Sequence, residues 1–156
     1  MQLDRIDRKI LDLMMRDATL SVAQIAEVVG LSQTPAWKRL QKLEAAGVIT
    51  GRVALVDPAN IGLGLIVFMG VEAADHSVEW RETFRATIED FPQITEVYRM
   101  AGAVDYLLKL VLPDTAAFDR FYLEFTTRLP CRNITSGIAM ETLRHRSGWP
   151  INVATA

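Results

Sequence analysis

Five residues between positions 33 and 42 have the side-chain types that contact a DNA duplex. They are Gln33, Thr34, Lys38, Arg39 and Lys42. Amides and hydroxyls hydrogen-bond the edges of bases, whereas lysine and arginine bind phosphates. Their spacing places them on the outer side of a helix whose inner side would carry Ala36, Leu40 and Leu43. The pattern therefore predicts a helix that enters a groove with its amino-terminal end.

The residues around this face predict two short helices joined by a tight turn. Gly30 can close the first helix in a left-handed conformation, and Ser32 is placed to cap the second. Pro35 lies in the first turn of the second helix, and Gly47 ends it. Ala26 is small where the two helices must cross. This is a helix-turn-helix pattern, although an ordinary solvated helical hairpin remains the alternative.

Flanking segments complete a predicted DNA-binding domain over residues 1–56. A preceding helix runs from about Asp4, which can cap it, to Arg16. Residues 48–56 are rich in β-branched side chains and predict a small strand pair, which would make the domain winged. Arg52 on this wing is either a phosphate contact or a solvated charge. Ser21, Ser32 and Arg52 join the five residues above as the predicted DNA-binding set.

The charge distribution supports this placement. The 156-residue chain has a net charge of −2, but residues 1–56 contain eight Lys/Arg and six Asp/Glu, against nine and thirteen in residues 57–156. The basic excess therefore lies where the predicted DNA-contacting helix lies.

Residues 57–64, DPANIGLG, predict a hinge, and residues 65–156 predict a second domain. Apolar and β-branched runs predict strands at 65–73, 94–100, 106–112 and 133–143. Two amphipathic helices, capped by Ser77 and Asp114, separate them as two strand-helix-strand units. This order predicts an α+β chain whose second domain is a ferredoxin-like βαββαβ sheet with both helices on one face.

The opposite face of that sheet must also be covered. We expect it to carry alternate members of a group of apolar strand residues: Val67, Met69, Val71, Leu108, Leu110 and Leu112. A single copy would leave this face in water, so the sequence predicts at least a homodimer with its sheets in contact.

Polar residues at strand ends could bind a zwitterionic amino acid. Asp105 could pair with its ammonium group, while turn amides near Gly102 and the hydroxyls of Thr135 and Ser136 could bind its carboxylate. Alternatively, Gly102 and Asp105 only form a tight hairpin and the hydroxyls serve a sheet edge.

Catalysis and cofactor binding have little support. His76 and His145 have no partners at metal-ligand spacing, Cys131 has no activating neighbour, and no phosphate-binding glycine motif occurs. We expect no catalytic residue, metal or cofactor. With one cysteine, no signal peptide and no apolar run longer than residues 61–71, we expect a cytoplasmic protein.

Five stretches, in order along the chain, resemble the Lrp/AsnC (feast/famine) family of transcription regulators. They are LDRIDRKIL, LSQTPAWKRLQKLEAAGVI, LVDPANIGLGL, MAGAVDYLLKL and ITSGIAMETL. The residues in these stretches are most similar to those of the subgroup that includes regulators of cysteine detoxification. Ala36 replaces the cysteine usual in that subgroup. Trp37 stands where many members have a smaller aliphatic residue, and it could either pack inside or contact DNA.

The resemblance implies dimers that associate into octamers or related rings, with an amino-acid effector bound between dimers. The family's effector motifs fall on Gly102, Asp105 and Tyr106 and on Thr135, Ser136, Ala139 and Met140; we also include Met100. Two other functions remain open, an amino-acid-handling enzyme with a small regulatory domain and an architectural DNA protein without an effector.

Overall fold

The computed structural model describes residues 1–151, which form two compact units. The first unit combines Met1–Ala54 with the described residues from Leu143 onward, and the second is Leu55–Thr142. The chain therefore passes between the units twice. The last five residues of the predicted second domain, 152–156, lie outside the described residues.

Three helices build the first unit: α1 (Arg5–Arg16), α2 (Val22–Val29) and α3 (Gln33–Ala45). The side chain of Asp4 accepts hydrogen bonds from the amides of Ile6 and Asp7 at the start of α1. Ser21 and Gln24 form a reciprocal capping box at the start of α2. Both helices therefore begin at residues that satisfy their free amide groups.

The turn between α2 and α3 depends on one glycine conformation. Gly30 has a φ of 76°, in the left-handed region, and its amide closes the end of α2. Ala26 and Ala36 are 2% and 1% exposed, which leaves room for the two helices to pack closely. The apolar faces of all three helices share a core that includes Ile10, Ile25 and Leu43. The predicted helix-turn-helix is confirmed.

The predicted strand pair after α3 does not form in this structure. Residues 51–57 have no strand assignment, and Val53 and Leu55 are 81% and 73% exposed. An extended segment becomes a strand only when a neighbour accepts and donates its backbone hydrogen bonds. Within the described chain no such neighbour meets this segment.

The second unit begins with a short 3₁₀ helix (Pro58–Ile61) and continues as β1 (Leu65–Ala73), α4 (Val78–Glu89), β2 (Ile94–Arg99), β3 (Tyr106–Leu112), α5 (Thr115–Arg128) and β4 (Cys131–Ile138). The strands form one antiparallel sheet in the order β2-β3-β1-β4. Ser77 and Asp114 cap α4 and α5, as predicted. This is the ferredoxin-like arrangement that the strand-helix-strand repeats predicted.

The assignment of sheet faces was wrong. All six apolar residues expected to include the uncovered positions are at most 3% exposed and belong to the core between sheet and helices. Side chains alternate along a strand, so the opposite face carries the intervening residues, among them Ile66, Phe68, Leu107 and Val111. Phe68 is 43% exposed. We call this surface the open face.

The last strand is shorter than predicted, ending at Ile138 rather than at residue 143. Its pairing with β1 ends at Val67 and Ile138, and Met140 and Leu143 are 93% and 86% exposed. Residues 143–151 then pack in the first unit. There Ile151 contacts the helical core, and its carbonyl oxygen accepts a hydrogen bond of 2.8 Å from Arg8 Nη1.

Candidate functional site

The outer face of α3 is defined by the burial of the opposite face. Ala36, Leu40 and Leu43 are nearly inaccessible, whereas Gln33, Thr34, Trp37, Lys38, Gln41 and Lys42 are exposed. Residues three and four apart on a helix lie side by side, so the exposed residues form one continuous strip. We call it the α3 strip. The structure thus brings together four of the five residues singled out first in the sequence.

Arg39 is the exception, because its guanidinium group is bound by two carboxylates and its side chain is only 31% exposed. Its Nη1 atom lies 2.6 Å from Asp4 Oδ2 and 2.7 Å from Asp7 Oδ1. The side chain of Asp7 is only 6% exposed, and Arg39 is the cation that neutralises it. The pKa of Asp4 is lowered, first by the hydrogen bond from the Asp7 amide and then by Arg39. In this structure Arg39 forms an ion pair that joins α3 to the start of α1, so a DNA phosphate would have to compete with two carboxylates for it; its DNA contact stays a prediction.

Ser32 begins α3, but its side chain makes no capping hydrogen bond. A capping side chain accepts from the second or third amide of its helix. The third residue here is Pro35, which has no N–H group. The predicted cap is therefore wrong at the level of the side chain. Within the described residues, the Ser32 hydroxyl and the amides of Gln33 and Thr34 have no acceptor or donor partner.

Lys38 and Lys42 make no ion pair with any residue in the described range, so both remain available to an external anion. Arg52 differs, because its Nη2 atom lies 2.6 Å from Glu44 Oε1. The hydroxyl of Ser21 accepts from the Gln24 amide at 3.3 Å in the capping box of α2. Arg52 and Ser21 thus have partners within the unit, and a DNA phosphate would have to compete with them.

Trp37, which the sequence left between two environments, lies on the α3 strip. Its side chain is 49% exposed. In residues 1–151 its ring makes no contact with another aromatic ring or with a cation. Sequence reasoning could not place it, because position 37 lies at the border between the apolar and polar sides of α3.

In the second unit, Asp105 ties the β2–β3 connection to the end of β1. One carboxylate oxygen, Oδ2, accepts from the Ala73 amide at 2.8 Å, and the Asp105 amide donates to the Val71 carbonyl at 3.0 Å. The other oxygen, Oδ1, lies 4.0 Å from His76 Nε2. Half of the carboxylate is therefore engaged in holding the hairpin, and half faces outward.

Thr135 lies on the open face beside a residue that sequence reasoning missed. Gly70 pairs with Thr135 across β1 and β4, and a Cβ atom on Gly70 would lie 2.8 Å from Thr135 Oγ1 and 2.9 Å from Val104 Cγ1. Only glycine allows the residue 100–105 connection and Thr135 to approach this point together. A glycine inside an otherwise apolar strand was the available signal.

The remaining predicted effector residues do not share this position. Tyr106 lies on the helix side of the sheet, where its ring centroid is 4.3 Å from that of Phe84 and 5.8 Å from that of Trp80. Ser136 follows Thr135 directly and therefore points to the opposite face. Met100 and Gly102 are exposed in the connection between β2 and β3. The structure thus groups Thr135 with this connection and separates Tyr106 and Ser136 from it.

A groove of about 740 Å³ lies elsewhere in the second unit, among residues of the 3₁₀ helix, the ends of β2 and β3, and α5. Its walls include Pro58, Val111, Arg120 and Phe121. None of the predicted effector residues lines it.

Cys131 is a packing residue of the second unit. Burial raises the pKa of its thiol to about 11, so the reactive thiolate is scarce near neutral pH. Within the described residues, no group of three or more His, Cys, Asp or Glu side chains could hold a metal ion. No helix of residues 1–151 is long and apolar enough to cross a bilayer.

Comparisons with known proteins agree with both halves of this architecture. Residues 3–50 match the model of a winged helix-turn-helix DNA-binding family, and residues 66–149 match that of the Lrp/AsnC ligand-binding domain. The chain belongs to the Lrp/AsnC family. It is a DNA-binding transcription regulator of the Lrp/AsnC type, as the five sequence stretches implied.

Relatives of similar length are named as regulators. The chain is 41% identical to the glutamate uptake regulatory protein of Zymomonas mobilis, over 96% of this chain and 92% of that protein. It is also 41% identical to the transcriptional activator DecR of Escherichia coli, over 96% and 99% of the two chains. The cysteine-detoxification subgroup remains a prediction.

Solved structures of transcription regulators superpose closely on this chain. An AsnC family regulator from Agrobacterium tumefaciens has a TM-score of 0.93 and 44% identity over 97% of this chain and 99% of its own. The regulator NMB0573 of Neisseria meningitidis, solved as a complex with L-Met, has a TM-score of 0.93 and 29% identity over 98% and 99%.

Proposed function

We propose that this Lrp/AsnC regulator reads a specific operator with the α3 strip. The observation that carries the proposal is that the exposed face of α3 presents Lys38 and Lys42 without ion-pair partners among the described residues, whereas Arg39 is bound by Asp4 and Asp7. A homodimer would place two α3 helices in successive major grooves, about 34 Å apart. Residues 1–56 would form the DNA-binding domain and residues 57–64 the hinge. The effector domain would run from residue 65, with residues 143–151 packed in the first unit.

Phosphate contacts would come from two groups around α3. The Ser32 hydroxyl and the amides of Gln33 and Thr34 stand unpaired at a helix amino terminus, which attracts an anion. Lys38 and Lys42 would neutralise further phosphates along the backbone. The side chains of Gln33 and Thr34 would hydrogen-bond base edges.

Binding to operator DNA over a range of salt concentrations tests these roles. Lys38→Ala should weaken binding to all sequences and reduce the slope of log K against log salt by about one. Gln33→Ala and Thr34→Ala should instead relax the preference for operator over random DNA at an unchanged slope. If all three variants lost only a uniform, salt-sensitive component, base reading by α3 would be refuted.

We further propose an amino-acid effector bound at the β2–β3 connection and Thr135. No hydrogen bond in residues 1–151 uses the amides of residues 101–104, so they are free to bind a carboxylate. The Thr135 hydroxyl faces the same connection across Gly70, and Asp105 Oδ1 could accept from the ammonium group. The L-Met complex of NMB0573 supports an amino acid as the ligand class.

Asp105→Asn separates the binding role from the structural one. The amide oxygen of asparagine can still accept from the Ala73 amide, while the charge that would pair with the ammonium group is lost. In a thermal-shift screen of twenty amino acids, we expect the wild-type melting temperature to rise with one or a few of them. The variant should melt like wild type without ligand and lose that rise. An undiminished rise would remove Asp105 from the site.

Assembly would use the open face. Ile66, Phe68, Leu107 and Val111 form a largely apolar surface, with Lys109 beside Phe68, that a second sheet can cover. We propose homodimers that associate further, to octamers, with the effector between dimers.

The two other functions have less support. An enzyme would need a catalytic set, and the relatives are described as regulators, so we propose that the chain has no enzymatic activity. An architectural protein would bind random DNA and operator equally well, an outcome that the binding experiment above reveals. We propose that the protein acts in the cytoplasm, where operator DNA is accessible.

A further inference from the structure

Trp37 is a large apolar side chain whose exposed neighbours on α3 are polar. It lies one turn from Thr34 and Gln41 on the α3 strip and directly precedes Lys38, all of them exposed. About half of its side chain is accessible, and within the described residues it has no ring or cation partner. The fold of the first unit therefore does not require an indole at this position.

The chemistry of the major groove limits what an indole can recognise there. Base edges present hydrogen-bond donors and acceptors, together with one apolar group, the C5 methyl of thymine. The indole has a broad apolar surface and a single N–H donor, and it has no acceptor. Two lysines of the same strip, Lys38 and Lys42, are free to hold phosphates on either side. DNA is therefore the occupant that this surface fits by charge.

We propose that Trp37 is a specificity-determining residue that packs against a thymine methyl group in each half-site of the operator. The inference rests on the proposed function, in which α3 enters the major groove. It adds an apolar contact to the hydrogen bonds of Gln33 and Thr34, and it makes the regulator sensitive to the loss of one methyl group. Burying that methyl against the ring also covers indole surface that is exposed in the free protein.

Deoxyuridine tests the contact, because it differs from thymidine only by this methyl group. An operator selected from random DNA by the wild-type protein is resynthesised with each thymine replaced in turn, symmetrically in both half-sites. We expect one position at which the replacement weakens wild-type binding about fourfold or more per half-site. For Trp37→Ala, the thymine and uracil operators should bind equally at that position.

Two further variants make the result specific. Trp37→Phe keeps an apolar ring and should retain part of the preference for thymine. Trp149→Ala removes an indole that is 81% exposed but lies outside α3, so it should retain the full preference. Thermal melting is the control for folding: each variant should have a melting temperature close to that of wild type.

The inference is refuted if no replacement weakens wild-type binding, or if Trp37→Ala keeps the same sensitivity to uracil as wild type. The same assay distinguishes this failure from failure of the proposed function. If Gln33→Ala or Thr34→Ala still changes base preference, α3 remains the reading helix and only the Trp37 contact is wrong. If none of these variants changes base preference, reading by α3 is itself wrong.

Discussion

At the scale of single residues, two adjacent cations on α3 differ in whether they have an ion-pair partner. Lys38 points outward without a partner, whereas Arg39 turns inward to Asp4 and Asp7. The sequence shows two neighbouring cations and gives no direct sign of this difference. It arises because the acids of α1 lie 32 and 35 residues away along the chain and become neighbours of Arg39 only when the helices pack.

Arg39→Ala should therefore destabilise the fold and leave the electrostatics of DNA binding largely unchanged. The substitution leaves the buried carboxylate of Asp7 without its cation, which costs about 1–3 kcal/mol of unfolding free energy. Urea denaturation measures this loss. Lys38→Ala is the matched control, with a change within about 0.5 kcal/mol. If the folded Arg39→Ala variant showed a smaller slope of log K for DNA binding against log salt, Arg39 would be a phosphate contact after all.

Cys131 gives a prediction about pH. Burial raises the pKa of its thiol to about 11, whereas an unfolded cysteine ionises near 8.5. The protonated thiol thus favours the folded state below about pH 8.5, and this contribution is lost as the pH rises toward 11. At pH 8, iodoacetamide should label the native protein much more slowly than the urea-unfolded chain. Equal rates would contradict the burial of Cys131.

At the scale of elements, the sequence predicted most starts and ends. Asp4, Ser77 and Asp114 cap helices as expected, and the strands at 65–73 and 106–112 have the predicted limits. Such local signals suffice because a cap or a β-branched run acts on its own neighbours. The predicted wing at residues 48–56 and the predicted end of β4 at residues 139–143 depend instead on a partner strand elsewhere in the chain. The residues of a segment do not show whether such a partner is present.

Gly70 shows how an element can depend on one missing side chain. Gly70→Ala would place a Cβ atom 2.8 Å from Thr135 Oγ1, so β4 or the β2–β3 connection must shift. We expect a loss of about 1–3 kcal/mol in stability and a weaker thermal shift with the effector. Gly64→Ala is the matched control, because a Cβ atom added there would meet no other atom within 4 Å and the φ of Gly64 is not in the left-handed region. Normal behaviour of both variants would show that the close approach is unimportant.

At the scale of the whole molecule, the order of the two domains could be predicted from the sequence, whereas the path of residues 143–151 could not. A basic helical third followed by two strand-helix-strand units determines the architecture, and both parts match family models. Residues 143–151 carry no periodic pattern. Their place in the first unit depends on long-range contacts such as the hydrogen bond between Arg8 and Ile151.

Ile151→Ala should lower the stability of the first unit. Ile151 is partly buried against the helical core, so truncation removes apolar contacts and should cost about 1–2 kcal/mol. Hydrogen exchange reports on each unit separately. Relative to wild type, the variant should exchange faster in α1, while exchange in α4 and α5 should stay the same. Met140→Ala is the control, since this side chain is 93% exposed. Unchanged protection of α1 would mean that Ile151 adds nothing to the core.

The return of the chain to its first unit also affects synthesis. The ribosome completes α1, α2 and α3 roughly a hundred residues before it adds Ile151, and at about 5–20 residues per second this interval lasts roughly 5–20 s. During that time the nascent helices hold an unfinished core while the entire sheet is made. The contacts that Ile151 makes with these helices therefore form only after every strand of the sheet has been synthesised.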